Sequence, residues 1–219
     1  MKKYELTSET KVINGVKLHR IKALNSFGRV EKGELGGWIE SEKNLSQDGN
    51  AWVFDNATVR RNATVRGNAT VSGNASVSGN GYVDGNSYVG GNSCVCGNAM
   101  VCENAIVSGN ATVEDKAKVD GNAMVCGNVI VSENATVSEN ATISGDATVR
   151  GKEDYIVFKN WWSSGRCFTW TRSNNKWKVG CFYGSGEELI AKAYKDSAKS
   201  GREYERVVRY VESILKEEA

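Results

Sequence analysis

A six-residue unit repeats without insertion from residue 51 to residue 149. A branched aliphatic residue occupies every sixth position from Val53 to Val149, and it is valine in every unit except that of Ile143. Ala, Gly or Ser stands two positions earlier in every unit but one, and Asn stands three positions later in nearly all. Strict self-similarity at a fixed short period is typical of stacked repeats and argues against a single globular core.

The six-residue period predicts short strands separated by corners. An α-helical face needs spacings of three and four residues, which this pattern lacks. In a unit such as Ala-Thr-Val, Ala and Val point to one side and Thr to the other, because side chains alternate along a strand. The Gly and Asn that follow tolerate the left-handed backbone of a corner. With three units per triangular coil, the seventeen units predict nearly six coils and a prism about 27 Å long.

The A-x-V-x-G-N unit resembles the repeat of the hexapeptide-repeat, left-handed parallel β-helix family. This resemblance implies a mainly β fold and says little about activity. The chain as a whole is similar to uncharacterised hexapeptide-repeat proteins of bacteriophages and prophages. That second resemblance rests on Y-E-L-T at 4–7, L-G-G-W-I-E at 35–40, and G-C-F-Y-G-S-G-E-E-L at 180–189.

The end of the repeat divides the chain into three segments. Residues 1–50 are predicted to form a lead-in and cap, residues 51–150 the β-helix, and residues 151–219 a small α+β module. In the lead-in, two short strands are expected on either side of the turn at Asn14-Gly15. The segment from Gly36 to Ile39 is expected to plug the open end of the prism.

The C-terminal module is predicted to contain a β-hairpin followed by two helices. The strands are expected at 167–171 and 176–182, with a turn between them, and the helices at 186–197 and 201–217. Net charge is +2 over residues 1–50, −4 over 51–149 and +4 over 150–219. The module is therefore the most basic of the three segments.

Composition indicates a cytoplasmic protein, in the cytoplasm of the host cell if a phage encodes it. The chain has 28 basic and 26 acidic residues and no apolar run long enough to span a membrane. The opening MKKYELTSET lacks the apolar stretch of a secretory signal. With a net charge of +2 and an acidic solenoid, long nucleic acid is not expected as a partner.

The six cysteines are predicted to be free thiols rather than a disulfide framework. Cys94-x-Cys96 and Cys102 suggest a metal site, but no second close pair or nearby histidine completes four zinc ligands. No metal is therefore expected, and small, adaptable interface side chains are the favoured interpretation. A metal shared on a three-fold axis is the alternative.

The outward position before each aliphatic is Thr or Ser near both ends of the repeat and becomes apolar in the middle. Contiguous exposed apolar side chains usually mark an interface, and the family resemblance implies trimers around an axis parallel to the solenoid. A homotrimer is therefore predicted. Its interface residues are expected to be Tyr82, Tyr88, Met100, Ile106, Met124 and Ile130.

Aromatic and basic residues crowd the start of the C-terminal module. Flat rings for stacking and fixed cations for phosphate are what a nucleotide-like ligand requires. The predicted ligand-binding residues are Trp161, Trp162, Arg166, Trp170, Arg172, Lys176, Trp177 and Lys178. The alternative is that these aromatic side chains form the core of a small module and its lysines face solvent.

The family resemblance also raises an enzymatic alternative, because many of its members are acyltransferases that use a histidine as general base. The single histidine here, His19, precedes the first hexad, and no phosphate-binding loop or catalytic triad is present. No catalytic residue or cofactor is predicted. We expect a non-catalytic homotrimeric binding protein that sequesters a small anionic or nucleotide-like signal. A structural or protein-interaction scaffold and an acyltransferase are the alternatives.

Overall fold

A computed structural model describes residues 2–217 of the chain. Residues 1, 218 and 219, which the predicted lead-in and module include, lie outside the described residues. The first three strands are β1 (Tyr4–Ile13), β2 (Val16–Ala23) and β3 (Leu35–Ile39). A short 3-10 turn at Glu42–Asn44 follows β3.

Each hexad then contributes one two-residue strand, which consists of the aliphatic residue and the residue before it. In chain order these are β4 (Trp52–Val53), β5 (Thr58–Val59), β6 (Thr64–Val65), β7 (Thr70–Val71), β8 (Ser76–Val77), β9 (Tyr82–Val83), β10 (Tyr88–Val89), β11 (Cys94–Val95), β12 (Met100–Val101), β13 (Ile106–Val107), β14 (Thr112–Val113), β15 (Lys118–Val119), β16 (Met124–Val125), β17 (Ile130–Val131), β18 (Thr136–Val137), β19 (Thr142–Ile143) and β20 (Thr148–Val149).

These strands pair in parallel with the strands one coil away, three strands earlier and later in the chain. They form three faces, which we number by their first strand: face 1 contains β4 and every third strand to β19, face 2 runs from β5 to β20, and face 3 from β6 to β18. Residues 18 apart face one another in register, as Tyr88 does with Ile106. The predicted β-helix of about six coils, followed by a small α+β module, is confirmed.

The interior of the solenoid consists of the aliphatic column and the Ala column of the repeat. Every inward valine from Val53 to Val149 is fully buried, and so are most of the alanines. Burial of one valine side chain contributes about 1.5–3 kcal/mol, so the stacked columns supply the driving force for the fold. At each corner one residue has a positive φ, such as +67° at Gly73, and Glu139 is one of several non-glycine residues with the same conformation.

The corner asparagines form hydrogen-bonded ladders along the outside of the solenoid. In the longest ladder, which runs from Asn50 to Asn140, each side-chain Nδ2 donates to the Oδ1 of the asparagine in the next coil, at 3.0–3.4 Å. Every bond in this ladder points the same way along the solenoid. Asp146, one of the two breaks in the Asn pattern, instead accepts a hydrogen bond from Asn174 of the C-terminal module.

The lead-in forms the first coil of the solenoid as well as its cover. β3 pairs in parallel with β5 on one side and antiparallel with β2 on the other. The expectation that Gly36 to Ile39 plug the prism is therefore corrected: this segment is a strand of the first coil, because its backbone continues the parallel ladder of face 2. The cover is the β1–β2 hairpin, whose Tyr4 and Ile21 are buried in the solenoid core.

The C-terminal module is a four-stranded antiparallel sheet with two helices. The strands are β21 (Tyr155–Lys159), β22 (Cys167–Thr171), β23 (Lys176–Val179) and β24 (Phe182–Gly184), paired in that order, and the helices are α1 (Gly186–Asp196) and α2 (Ala198–Glu217). Two differences from the prediction stand out. β21 was not anticipated, and the expected strand 176–182 is divided by a turn at Gly180, where φ is +55°.

The module caps the last coil of the solenoid. In earlier coils, the residue before each valine donates its backbone N–H to a backbone carbonyl of the next coil, as Ile130 does to the Ala147 carbonyl. For Thr142 and Thr148 the next coil does not exist, and their N–H groups donate to Thr169 Oγ1 at 3.0 Å and Ser173 Oγ at 2.8 Å. Within residues 2–217, none of the helices has the length and apolar character needed to cross a membrane.

Candidate ligand-binding cleft

A cleft lies where the module meets the corner of the solenoid between faces 3 and 1. It contains two cavities. The outer cavity has a volume of about 520 Å³ and is lined by Asn122, Asn140, Lys159, Gly165, Arg166 and Cys167. The inner cavity has a volume of about 180 Å³ and is lined by Asn160, Ser164, Arg166, Cys167, Val179, Gly180 and Tyr204. Arg166 and Cys167 border both cavities.

The connection between β21 and β22 positions the cationic side of the cleft. The Asn160 N–H donates to the Arg166 carbonyl at 2.9 Å, and the Gly165 N–H donates to the Asn160 carbonyl at 2.7 Å. Gly165 has a φ of +69°, a left-handed conformation that glycine adopts without steric cost. Lys159 and Arg166 stand at the two ends of this closed loop, and both line the outer cavity.

The outer cavity presents hydrogen-bond donors and no carboxylate. Neither the Lys159 ammonium nor the Arg166 guanidinium forms an ion pair with any other residue in the described part of the chain. Asn140 is the last residue of the long ladder, so its Nδ2 has no further asparagine to which it can donate. Successive hydrogen bonds in such a ladder polarise one another, and the donor end of the ladder, Asn140 Nδ2, belongs to a residue that lines the outer cavity. Cations and an amide donor together suit an anionic oxygen.

Asn160, which lines the inner cavity, has a buried side-chain atom without a partner. Asn160 is 6% exposed, and its Nδ2 donates to the Tyr204 hydroxyl oxygen at 2.8 Å. Its Oδ1 is buried and accepts no hydrogen bond. Burial raises the pKa of Tyr204, which the hydrogen bond from Asn160 partly opposes, so the phenol is neutral. Five other buried side-chain atoms in the described part of the chain also lack a partner, so the Asn160 oxygen alone does not mark a functional position.

Three of the eight residues predicted to bind a ligand lie in the hydrophobic core of the module. Trp162, Trp170 and Trp177 are 8%, 1% and 1% exposed and pack with Phe168 and the two helices. The Trp170 Nε1–H donates to Asn175 Oδ1 at 2.9 Å. In this conformation these buried rings offer no face to a ligand.

The other five predicted residues are spread over the module. Trp161 is 71% exposed and lies edge-on to Trp162. Arg172 lies over the Trp170 ring, with its Cζ 5.9 Å from the ring centroid, and donates to the Glu153 carbonyl. Lys176 and Lys178 are half-buried on β23. Arg166 is the one predicted residue that lines the cleft, so the structure does not bring the eight together.

The predicted interface residues form outward columns on the three faces. Tyr88, Ile106 and Met124 stack in register on face 1. Tyr82 and Met100 stack on face 3. On face 2, Ile130 pairs with Thr112, which in turn pairs with Cys94. The longest continuous apolar column is therefore on face 1.

The two ends of this face 1 column are covered by other parts of the chain. Trp52 is buried against Tyr4 and Phe27 of the lead-in, and the Thr142 backbone is bound by the module. Arg29 of the lead-in donates to Thr70 Oγ1, so the uncovered length of face 1 extends from Tyr88 to Met124.

All six cysteines are free thiols. The Cys96 thiol donates a hydrogen bond to Cys94, which lowers the pKa of Cys94 to about 7, while burial opposes this shift. The same hydrogen bond raises the pKa of Cys96. Among residues 2–217, no group of three or more His, Cys, Asp and Glu side chains is arranged to hold a metal ion. His19 lies on β2 with its Nδ1 3.3 Å from the Thr7 carbonyl oxygen, whereas the cleft is lined by residues from 122 to 204.

No protein-family model matches this chain. Part of the chain is similar to the uncharacterized acetyltransferase YdcK of Escherichia coli (strain K12), with 36% identity over 63 residues. The match covers 25% of this chain and 19% of YdcK. This local similarity is consistent with the hexapeptide-repeat resemblance, and the resemblance to phage proteins stays a prediction.

Sequence reasoning did not single out Asn140, Asn160 or Tyr204 as part of a site. Asn140 has a recognisable signal, because it is the last asparagine in the longest of the three corner columns. Asn160 and Tyr204 have none, since they are 44 residues apart and belong to different elements. Lys159 was not included among the predicted ligand-binding residues.

Proposed function

We propose that this protein is a non-catalytic binding protein that holds a small anionic molecule in the cleft between solenoid and module. The observation that supports this best is the composition of the outer cavity: two cations without ion-pair partners, the donor end of an asparagine ladder, and no lining carboxylate. Fixed cations and amide donors form charge-assisted hydrogen bonds with phosphate or carboxylate oxygens. The volume of the outer cavity also falls within the range of about 300–1,000 Å³ that is typical of small-molecule sites.

In its most specific form, the proposal is that the bound anion is a nucleotide-like molecule. Sequestration of such a signal in the host cytoplasm, by a homotrimer encoded by a phage, would require affinity without turnover. The apolar column on face 1 supports the homotrimer, because exposed apolar surface of this kind is usually covered in an assembly. The predicted aromatic stacking on Trp170 and Trp177 is not part of this proposal, because those rings are buried.

Calorimetric titration with a panel of nucleoside mono-, di- and triphosphates, inorganic pyrophosphate and acetyl-CoA tests the proposal. We expect at least one phosphorylated compound to bind the wild-type protein. Arg166→Glu should weaken that binding by about 100-fold, because it replaces an attractive charge with a repulsive one. Lys159→Glu should weaken it in the same direction.

Lys178→Glu is the matched control, because it makes the same charge change in the same module but outside the cleft. It should leave affinity within about twofold. If Lys178→Glu weakens binding as much as Arg166→Glu, the site lies on the β23 hairpin rather than in the cleft. If no compound in the panel binds, a structural or protein-interaction role becomes the better explanation.

An acyltransferase is the second candidate, and the local similarity to YdcK favours it. Such an enzyme would bind acetyl-CoA and transfer the acetyl group to an acceptor, with a general base to deprotonate that acceptor. His19 is the histidine available for this role. Acetyl transfer that is measured by release of free CoA, and that disappears in His19→Ala, would support this candidate over the first.

A further inference from the structure

Two cysteines on the outside of the solenoid form a thiol pair that the proposed function does not use. We propose that Cys94 and Cys96 are a thiol–disulfide exchange site, at which a small disulfide compound oxidises the pair to a reversible Cys94–Cys96 disulfide. The cleft is lined by residues from 122 to 204, so this second activity is independent of the proposed anion site.

The first support is the placement of the two thiols. Val95 points inward and is fully buried, so the cysteines on either side of it both point outward. Both are free and only half-buried. The in-register neighbours of Cys94 on face 2 are Ser76 of β8 and Thr112 of β14, which are short and uncharged. The pair is therefore exposed to a small molecule from solution.

The second support is that the two thiols have different roles. The hydrogen bond from Cys96 favours the thiolate of Cys94 and lowers its pKa to about 7, an effect that burial opposes and Arg60 reinforces. The same hydrogen bond raises the pKa of Cys96, and burial and the Glu114 carboxylate add to this. The thiolate is the reactive form, and an attacking thiol works best with a pKa near the ambient pH. Cys94 is therefore the nucleophile, and Cys96 is the thiol that completes the exchange.

The exchange takes place in two steps. The Cys94 thiolate attacks one sulfur of the compound, a bond forms between these two sulfurs, and the other half of the compound leaves as a thiolate with the electron pair. Cys96 then gives its proton to the released thiolate and attacks the Cys94 sulfur. This attack expels the second half as a thiolate, which takes up from solvent the proton that Cys94 had lost. Two protein thiols are oxidised, and one disulfide is reduced to two thiols.

The spacing of the pair predicts that the product disulfide is strained. Residues two apart in an extended strand have Cα atoms about 6.6–6.8 Å apart, at the upper end of the roughly 4.4–6.8 Å that disulfides span. Strained disulfides are more oxidising and more easily reduced than structural ones. The pair therefore suits reversible exchange rather than a permanent cross-link.

The test treats the full-length protein at neutral pH with mixtures of glutathione disulfide and reduced glutathione, blocks free thiols by alkylation, and maps the peptides by mass spectrometry. We expect the peptide with Cys94 and Cys96 to lose two hydrogens and to regain them in excess reduced glutathione. Cys126 is the internal control, because it has no cysteine two residues away, and it should form at most a glutathione adduct. In Cys96→Ser, the reaction should stop at the glutathione adduct of Cys94.

A second measurement tests the assignment of the nucleophile. The rate of Cys94 alkylation should be half-maximal near pH 7 in the wild-type protein. In Cys96→Ala, which removes the hydrogen-bond donor, the midpoint should move to higher pH. An unchanged midpoint would show that Cys96 does not activate Cys94.

The wild-type protein alone is enough to reject the inference. Absence of the Cys94–Cys96 disulfide at every ratio of the two glutathione forms overturns it, and so does a disulfide that resists excess reduced glutathione. Neither result requires a variant, so the inference can be rejected even if the Cys96 variants do not fold. Neither result affects the anion-binding proposal, which is tested with different ligands and different variants.

Discussion

Glu139 holds a left-handed backbone, with φ of +60°, at a corner position that most hexads give to glycine. This conformation costs a non-glycine residue about 1–2 kcal/mol. Glycine avoids this strain but loses more backbone entropy on folding, which offsets part of its advantage. We expect Glu139→Gly to raise the free energy of unfolding by about 0.5–1 kcal/mol. Urea denaturation followed by circular dichroism measures the difference.

Glu139→Ala separates backbone conformation from charge. It removes the carboxylate but keeps the Cβ atom that is unfavourable at this φ. The alanine variant should therefore match the wild-type protein to within about 0.5 kcal/mol. If alanine stabilises the protein as much as glycine does, relief of charge repulsion on the acidic solenoid is the cause, and the conformational explanation is wrong.

Lys3 gives the stability of the protein a pH dependence in the alkaline range. Its ammonium donates to the carbonyls of Asp48, Gly49 and Ala51, and burial lowers its pKa from 10.5 to about 8, which the Asp48 carboxylate partly opposes. Between pH 8 and pH 10.5, Lys3 is more fully protonated in the unfolded chain than in the folded chain. The free energy of unfolding therefore rises with pH from 8 to 10.5, and below pH 8 the full cost of burying the charge is present.

We expect this rise to amount to roughly 1–3 kcal/mol, measured by urea denaturation at a series of pH values. Lys3→Met cannot titrate, so the difference between the wild-type protein and this variant isolates the contribution of Lys3. A difference that is constant from pH 7.5 to pH 10 would show that the Lys3 pKa is not lowered in the folded state.

At the scale of the structural element, the last coil depends on hydroxyl groups that the module supplies. Thr169 is buried, and its Oγ1 accepts a hydrogen bond from the Thr142 N–H. Thr169→Val keeps the shape but leaves that backbone donor unsatisfied, which should lower the free energy of unfolding by about 1–3 kcal/mol. Hydrogen exchange at the Thr142 amide, followed by mass spectrometry of peptides, should become faster.

Thr169→Ser is the matched control, because serine retains the hydroxyl oxygen. It should preserve slow exchange at Thr142 and lose only the small contribution of one methyl group, about 0.8 kcal/mol. Equal exchange rates in the valine and serine variants would show that the Thr169 hydroxyl does not protect the last coil.

The sequence predicts the solenoid well and the cleft poorly. The solenoid follows from a short repeating pattern, whereas the cleft depends on contacts between residues that are far apart in the sequence. A valine column at spacing six determines which side chains point inward, and the 18-residue register follows from three hexads per coil. The cleft depends on how the module sits on the last coil, through contacts such as that between Thr142 and Thr169, 27 residues apart. No periodic pattern encodes such contacts. Aromatic composition likewise does not distinguish a stacking platform from a core, as Trp170 and Trp177 illustrate.

At the scale of the whole molecule, the uncovered apolar column of face 1 predicts self-association. Tyr88, Ile106 and Met124 stack on adjacent strands, between ends that the lead-in and the module cover. We expect the wild-type protein to have about three times the chain mass of 23.8 kDa by size-exclusion chromatography with light scattering. Ile106→Glu would place an unpaired charge in the predicted interface, which is strongly unfavourable, and should give monomers with unchanged circular dichroism.

Thr112→Glu tests whether face 1 is the interface. Thr112 occupies the equivalent outward position one strand later, on face 2, so its substitution places the same charge on a neighbouring side of the same prism. This variant should remain trimeric, because a charge on an uncovered face stays hydrated. Monomers from Thr112→Glu and trimers from Ile106→Glu would move the interface to face 2, where Ile130 lies. A monomeric wild-type protein would contradict the predicted self-association.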